Sequence, residues 1–113
     1  MIDSYAFGSI VVDGRKFTSD IIIYPDGSIE SSWWRISGHR LCSDDIKKLI
    51  KLKPDVIIAG TGSSGLMRPE KELEKLLQQK DIQLISVPSK KAMEIYNDLA
   101  AKKIVGACFH LTC

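Results

Sequence analysis

Residues Asp55–Leu77 read DVIIAGTGSSGLMRPEKELEKLL, and this stretch decides the fold. Val56–Ala59 is a short continuous apolar run, the pattern of a strand covered on both faces. Gly60, Gly62 and Gly65 follow at the spacing G-x-G-x-x-G. Leu73, Leu76 and Leu77 then recur at helical spacing. Pro69 suits a first helical turn, so the helix is expected to begin there.

Reading outward, the same alternation continues. Upstream, Ser43 is a candidate N-cap, and Asp44 and Asp45 suit the positive end of a helix dipole. Ile46, Leu49 and Ile50 form that helix's apolar face, and Lys53-Pro54 ends it. Downstream, IQLISV (82–87) reads as a strand. Ser89 is expected to cap a third helix with Ala92, Ile95, Tyr96 and Leu99 facing inward, and KIVGACFHL (103–111) closes as a strand. Strands joined through helices lie parallel. The first third differs. Asp13-Gly14 and Pro25-Asp26-Gly27 are tight-turn signals between strand-like runs, which therefore pair antiparallel with their sequence neighbours. The expectation is a single α/β domain over residues 1–113. Its mixed central sheet has a parallel βαβαβ-type C-terminal half and antiparallel N-terminal hairpins, with helices packed on the sheet.

Composition fits that class and narrows the function. Apolar residues make up 44% and charged residues 27% of the 113, with net charge +2. The lysines form no stripe with interleaved aromatics, so no nucleic-acid partner is expected. No run approaches the roughly 20 apolar residues of a membrane span. MIDSYAFGSI does not read as a signal peptide. A cytoplasmic protein with reduced thiols is expected, and Cys42, Cys108 and Cys113 have no disulfide-framework spacing.

The glycine motif raises the question of a nucleotide. A dinucleotide fold needs its third glycine inside one strand–turn–helix unit and an acid at the tip of the next strand. Here Gly65 precedes Leu66-Met67-Arg68-Pro69, and the next strand ends in Pro88-Ser89. No Gly-Lys-Ser/Thr follows, so this is no P-loop. A smaller site survives: a phosphate-like anion held by Gly60, Thr61, Gly62, Ser63, Ser64 and Arg68, together with Ser89, Lys90 and Lys91 at the start of the next helix. The alternative is that the lysines point into water and the glycines only permit a loop. His39, Cys42, Cys108, His110 and Cys113 are metal-ligand types without a C-x-x-C pair, so no metal or cofactor is expected. A Cys–His catalytic pair, Cys42 with His39 or His110, lacks an oxyanion-hole signature or an orienting third residue. Trp33 and Trp34, read as strand residues, face opposite sides. One can enter the core, and the other must be covered by a helix, a loop or a partner, since tryptophan is enriched at binding hot spots; the N-terminal segment is expected to fold over it. Asp20, Asp26 and Glu30 are assigned no acid–base role.

Several markers together resemble a known family. They are Trp34-Arg35 followed by Gly38-His39, the IIAGTG strand and turn, AMEIYNDLAAKK with Tyr96-Asn97 and Leu99, and the ending VGACFHLTC. They resemble the domain of unknown function that includes the adipogenesis-associated domain proteins and a mitochondrial complex I assembly factor. No mitochondrial presequence is expected, and the chain is similar to a stand-alone prokaryotic or archaeal member. The resemblance implies a compact α/β domain and carries over no catalytic residues. The function expected is non-enzymatic binding, assembly or regulation through a protein partner. The alternative is a small enzyme or redox protein that takes an anionic small molecule at the Gly60–Gly65 turn.

Overall fold

A computed structural model describes all 113 residues. The N-terminal third forms β1 (Ile2–Ala6), β2 (Ser9–Val12), β3 (Arg15–Phe17), β4 (Ile21–Ile23) and β5 (Ile29–Glu30). Then come β6 (Arg40–Leu41), a 3₁₀ turn (Ser43–Ile46), α1 (Lys47–Lys51) and β7 (Val56–Thr61). β8 (Arg68–Pro69), α2 (Lys71–Gln79), β9 (Gln83–Val87), α3 (Ser89–Ala100) and β10 (Val105–His110) complete the chain.

The central sheet has the order β5-β4-β10-β7-β9. β10 pairs parallel with β7 and antiparallel with β4, and β7 pairs parallel with β9, so the sheet is mixed. Every residue of β7 and β10 is buried, as the continuous apolar runs require. One face carries Ile22, Ile57, Ala59 and Cys108 under Leu49 of α1 and Leu73 and Leu77 of α2. The other carries Ile21, Ile23, Ile58, Ala107 and Phe109 under Ala92 and Tyr96 of α3. The connections leaving β7 and β9 therefore run to opposite faces.

Several local expectations shift. The N-terminal hairpins divide: β1-β2-β3 make a separate three-stranded sheet, while β4 and β5 join the central one. Asp13 (φ 49°) and Gly14 (φ 80°) turn β2 into β3 with the positive φ angles that a two-residue loop demands. Ser43 does not cap a helix. Cys42 occupies the N-cap, and the Asp45 carboxylate accepts from its N–H at 2.9 Å. Pro69 lies in a short strand paired with β6, and the helix starts at Lys71 after Glu70. Pro88, not Ser89, is the N-cap of α3. Trp33 and Trp34 lie in the loop between β5 and β6, because Ser32 (φ 53°) breaks the extended chain. Trp33 is buried, and no N-terminal segment covers Trp34, whose exposure is 86%.

Candidate functional site

The carboxyl ends of β7 and β10 lie side by side, with Thr61 opposite His110. Both side chains fall two residues beyond the Ala59–Cys108 pair, so they share its face. There the apolar layer gives way to polar groups, and two concavities open.

The glycine turn lies at one of them. Gly60 is still in β7, where a Cβ would sit 2.6 Å from the Phe109 ring and 2.9 Å from Ser89 Oγ. Gly62 (φ 103°) packs against Cys113 with no room for a side chain, and Gly65 has φ 71°. Close packing and backbone conformation thus account for all three glycines. Ser89, fully buried, donates from Oγ to His110 O at 2.6 Å and accepts from Gly62 N–H at 2.9 Å. Ser63 N–H donates to Thr112 O, Gly65 N–H to Gly62 O, and Leu66 N–H to Cys113 O. Ser63, Ser64 and Arg68 are exposed, as are Lys90 and Lys91, and Lys91 lies 3.9 Å from Glu94. The adjoining crevice, about 470 Å³, is lined by Thr61, Ser64, Gly65, Arg68 and Pro88 and also by the acidic Glu74. Ser89, Lys90 and Lys91 are not among its walls.

The second concavity rests on a cluster whose members lie far apart in the sequence. Asp20 leads into β4, Arg35 lies in the loop after β5, and His110 ends β10. Arg35 Nη1 donates to Asp20 Oδ2 at 2.8 Å, and its Nε and Nη2 donate to Gly38 O at 3.2 and 3.0 Å. The guanidinium also stacks over Trp33, 4.8 Å from the ring centre. His110 Nδ1 lies 2.8 Å from Asp20 Oδ2 and 3.0 Å from Arg35 Nη2. Facing a carboxylate, Nδ1 is assigned the proton and donates a hydrogen bond to Asp20 Oδ2. Asp20 Oδ1 accepts from Leu111 N–H at 2.9 Å. Burial would push the Asp20 carboxyl up, but the hydrogen bonds from His110, Arg35 and Leu111 hold it below the usual carboxylate range.

This cluster fixes the Trp33–Gly38 loop. Trp33 N–H donates to Asp20 O, and its indole Nε1 to Asp45 O at 2.9 Å. Ser32 N–H donates to Ser19 Oγ, and Ile36 N–H to Asp45 Oδ1. Trp34 and Ile36 nevertheless point outward, the latter 78% exposed. They line an open concavity of about 530 Å³ together with Asp20, Trp33 and Arg35.

The chemical options of the site are narrow. Asp20 orients His110 as a carboxylate orients a general base. Yet the opposite nitrogen, Nε2, is buried with no hydrogen-bond partner, so no hydroxyl or thiol of this chain is hydrogen-bonded to it. His39 approaches His110 edge-on at 6.4 Å between ring centres, but no group of three or more His, Cys, Asp or Glu side chains is placed to hold a metal ion. Burial pushes the Cys108 thiol up to about 12, and burial and the Asp45 carboxylate raise that of Cys42. All three cysteines are free, and burial disfavours the thiolate of both Cys42 and Cys108.

A mixed five-stranded sheet with helices on both faces and a small antiparallel sheet beside it defines a compact α/β domain. The chain belongs to the family described as a protein of unknown function, DUF498/DUF598, whose model matches residues 2–110. It is similar to the conserved hypothetical protein PH1505 of Pyrococcus horikoshii OT3: 31% identity, TM-score 0.85, covering 100% of this chain and 99% of that one. It is also similar to a structure described as an outer membrane protein from Bartonella henselae, at 25% identity and TM-score 0.83 over 99% and 94% of the two chains. A Mth938-like domain from Bordetella pertussis shares the fold at 18% identity and TM-score 0.74 over 98% and 85%. No helix of this chain is long and apolar enough to cross a membrane.

Proposed function

We propose that this chain is a non-enzymatic binding module, of the assembly or regulatory kind, that docks a partner protein through Trp34 and Ile36. One observation carries the reading. Two large apolar side chains, 86% and 78% exposed, stand on a loop tied down by the largely buried Arg35 side chain, which donates to Asp20 and Gly38, and by Ile36 N–H, which donates to Asp45. A rigidly presented tryptophan lining a concavity is the form of a binding hot spot, because little ordering entropy remains to be lost on association. The occupant is a partner segment that inserts an apolar side chain between Trp34 and Ile36. The resemblance to assembly proteins supports the same reading. With three free cysteines, a reducing cytoplasmic location is part of the proposal.

Selection from a displayed random-peptide library tests it. Selected peptides should share an apolar anchor and lose at least tenfold in affinity for Trp34→Ala or Ile36→Ala. Peptides that bind both variants unchanged would refute it.

A second reading, a small anion at the glycine turn, is favoured by the position of that crevice. It lies between the carboxyl ends of β7 and β9, whose connections leave to opposite faces, the place where open α/β sheets take ligands. It is the weaker reading. The N–H groups of Gly62, Ser63 and Gly65 are already engaged, and of the cationic side chains only Arg68 lines the crevice, beside Glu74. Thermal melts with and without millimolar phosphate test it. Stabilisation that is lost in Arg68→Ala would support an anion site.

A further inference from the structure

The sheet edges of this molecule are not treated alike. β3 is edged by Arg15 and Lys16, both exposed. β1 is covered at Ile2, where the Asn97 side chain donates to its carbonyl and accepts from its N–H, each at 2.8 Å. Its register with β2 also slips between Ile2 and Ser4. β5 is only two residues long and contains Glu30, and β6 and β8 are equally short. These are the devices that keep edges from pairing with other chains: charge, bulges, covering groups and brevity.

β9 has none of them. It is five residues, Gln83–Val87, without a charge or a proline. It runs in unbroken register along β7, from Val56↔Gln83 to Gly60↔Val87, and has no strand on its other side. Leu84 packs with α2 on one face, and Ile85 and Val87 with α3 on the other, so both faces are covered while the edge stays open. Gln83 N–H points inward to Asp55 O. The alternation of the strand therefore aims the N–H and C=O groups of Leu84 and Ser86 outward, and no loop bonds to them.

We propose that β9 is a pairing edge for a second copy of this chain. Two β9 strands join antiparallel about a two-fold axis at Ile85, and the two central sheets become one. The register is self-complementary, as a two-fold interface requires. Leu84 lies opposite Ser86 of the second copy, the two exchanging N–H···O bonds, and Gln83 lies opposite Val87. No charged side chain enters the paired segment, so nothing within it opposes the copy. A five-residue pairing is small for an interface, so the dimer is weak, with a dissociation constant on the order of 10⁻⁴ M.

Sedimentation equilibrium from about 10 µM to 1 mM tests this directly. Wild type should move from monomer to dimer over that range. Ser86→Pro removes an outward N–H that β7 does not use, a position where an edge strand tolerates proline. It should remain monomeric at 1 mM. Ser86→Lys, which places a charge at the same point without altering the backbone, should do likewise if the proline variant fails to fold. Trp34→Ala should still dimerise, which separates this edge from the partner surface proposed above. A wild type that stays monomeric at 1 mM would overturn the proposal. So would a dimer that survives in Ser86→Lys, or one that Trp34→Ala abolishes.

Discussion

Replacing Arg35 with Ala removes the central tie between the tryptophan loop and the sheet. The Arg35 side chain is 6% exposed and its partner Asp20 17%. Breaking a fully buried pair from one side costs about 3–5 kcal/mol, because the remaining charge stays buried. Here Asp20 keeps His110 and the Leu111 N–H, while Gly38 O loses both guanidinium donors. The contact with the Trp33 ring, worth about 0.5–2 kcal/mol, goes as well. The lower half of the buried-pair range is therefore expected, about 3 kcal/mol. For a domain of this length that lowers Tm by roughly 10 °C. Urea unfolding followed by far-ultraviolet dichroism measures the change. Arg35→Lys should recover less than half of it, since an ammonium cannot reproduce the fork that reaches Asp20 and Gly38 together. A loss below about 1 kcal/mol, the level of a surface ion pair, would refute the view that this cluster holds the loop.

Other outcomes follow from the same geometry. Ser89→Ala should cost about 1–3 kcal/mol in chemical denaturation, because Gly62 N–H loses its acceptor inside the protein. Gly106→Ala should cost about 1–3 kcal/mol in the same assay, because its Cβ would collide with the Leu49 side chain over β10. The depressed Asp20 pKa sets a sign for acid: its contribution is present above the unfolded carboxyl value of about 3.9. It is lost as pH falls through the lower folded value, so Asp20→Asn should flatten the stability profile below about pH 4. Cys108, fully buried with its thiol raised to about 12, should react with a thiol reagent only at the rate of unfolding, as mass spectrometry of timed samples can show.

Much of the frame can be read along the chain, because burial writes itself into local pattern. The runs at 56–59 and 104–109 are apolar on both faces, and Leu73 and Leu77 keep helical period, so β7, β10 and α2 follow from periodicity. Element ends read less well, since a cap depends on atoms brought from elsewhere. Ser43 and Ser89 look like caps, yet Ser43 hydrogen-bonds Glu72 and Ser89 ties α3 to the glycine turn and to β10. Pro69 looks like a helix start but lies in a strand that exists only because β6 lies beside it. The paired tryptophans read as strand on propensity, and the backbone at Ser32 decides otherwise.

The cluster of Asp20, Arg35 and His110 was the least legible. Its members are separated by 15 and 75 residues, so no spacing rule reaches it. Two hints were present. His110 is a polar side chain in an otherwise apolar strand, and Arg35 and His110 both fall within the segments that carry the family resemblance. Conversely, the glycine motif was conspicuous, and packing against Phe109 and Cys113 explains it without a ligand.

The partner-docking reading is tested most directly by amide chemical-shift mapping with a peptide selected from the displayed library. Binding should shift the amides of residues 19–20 and 32–38 together with the Trp34 indole N–H, and leave 61–65 and 89–91 in place. Shifts confined to the glycine turn and the start of α3, with the Trp34 indole unmoved, would contradict the account.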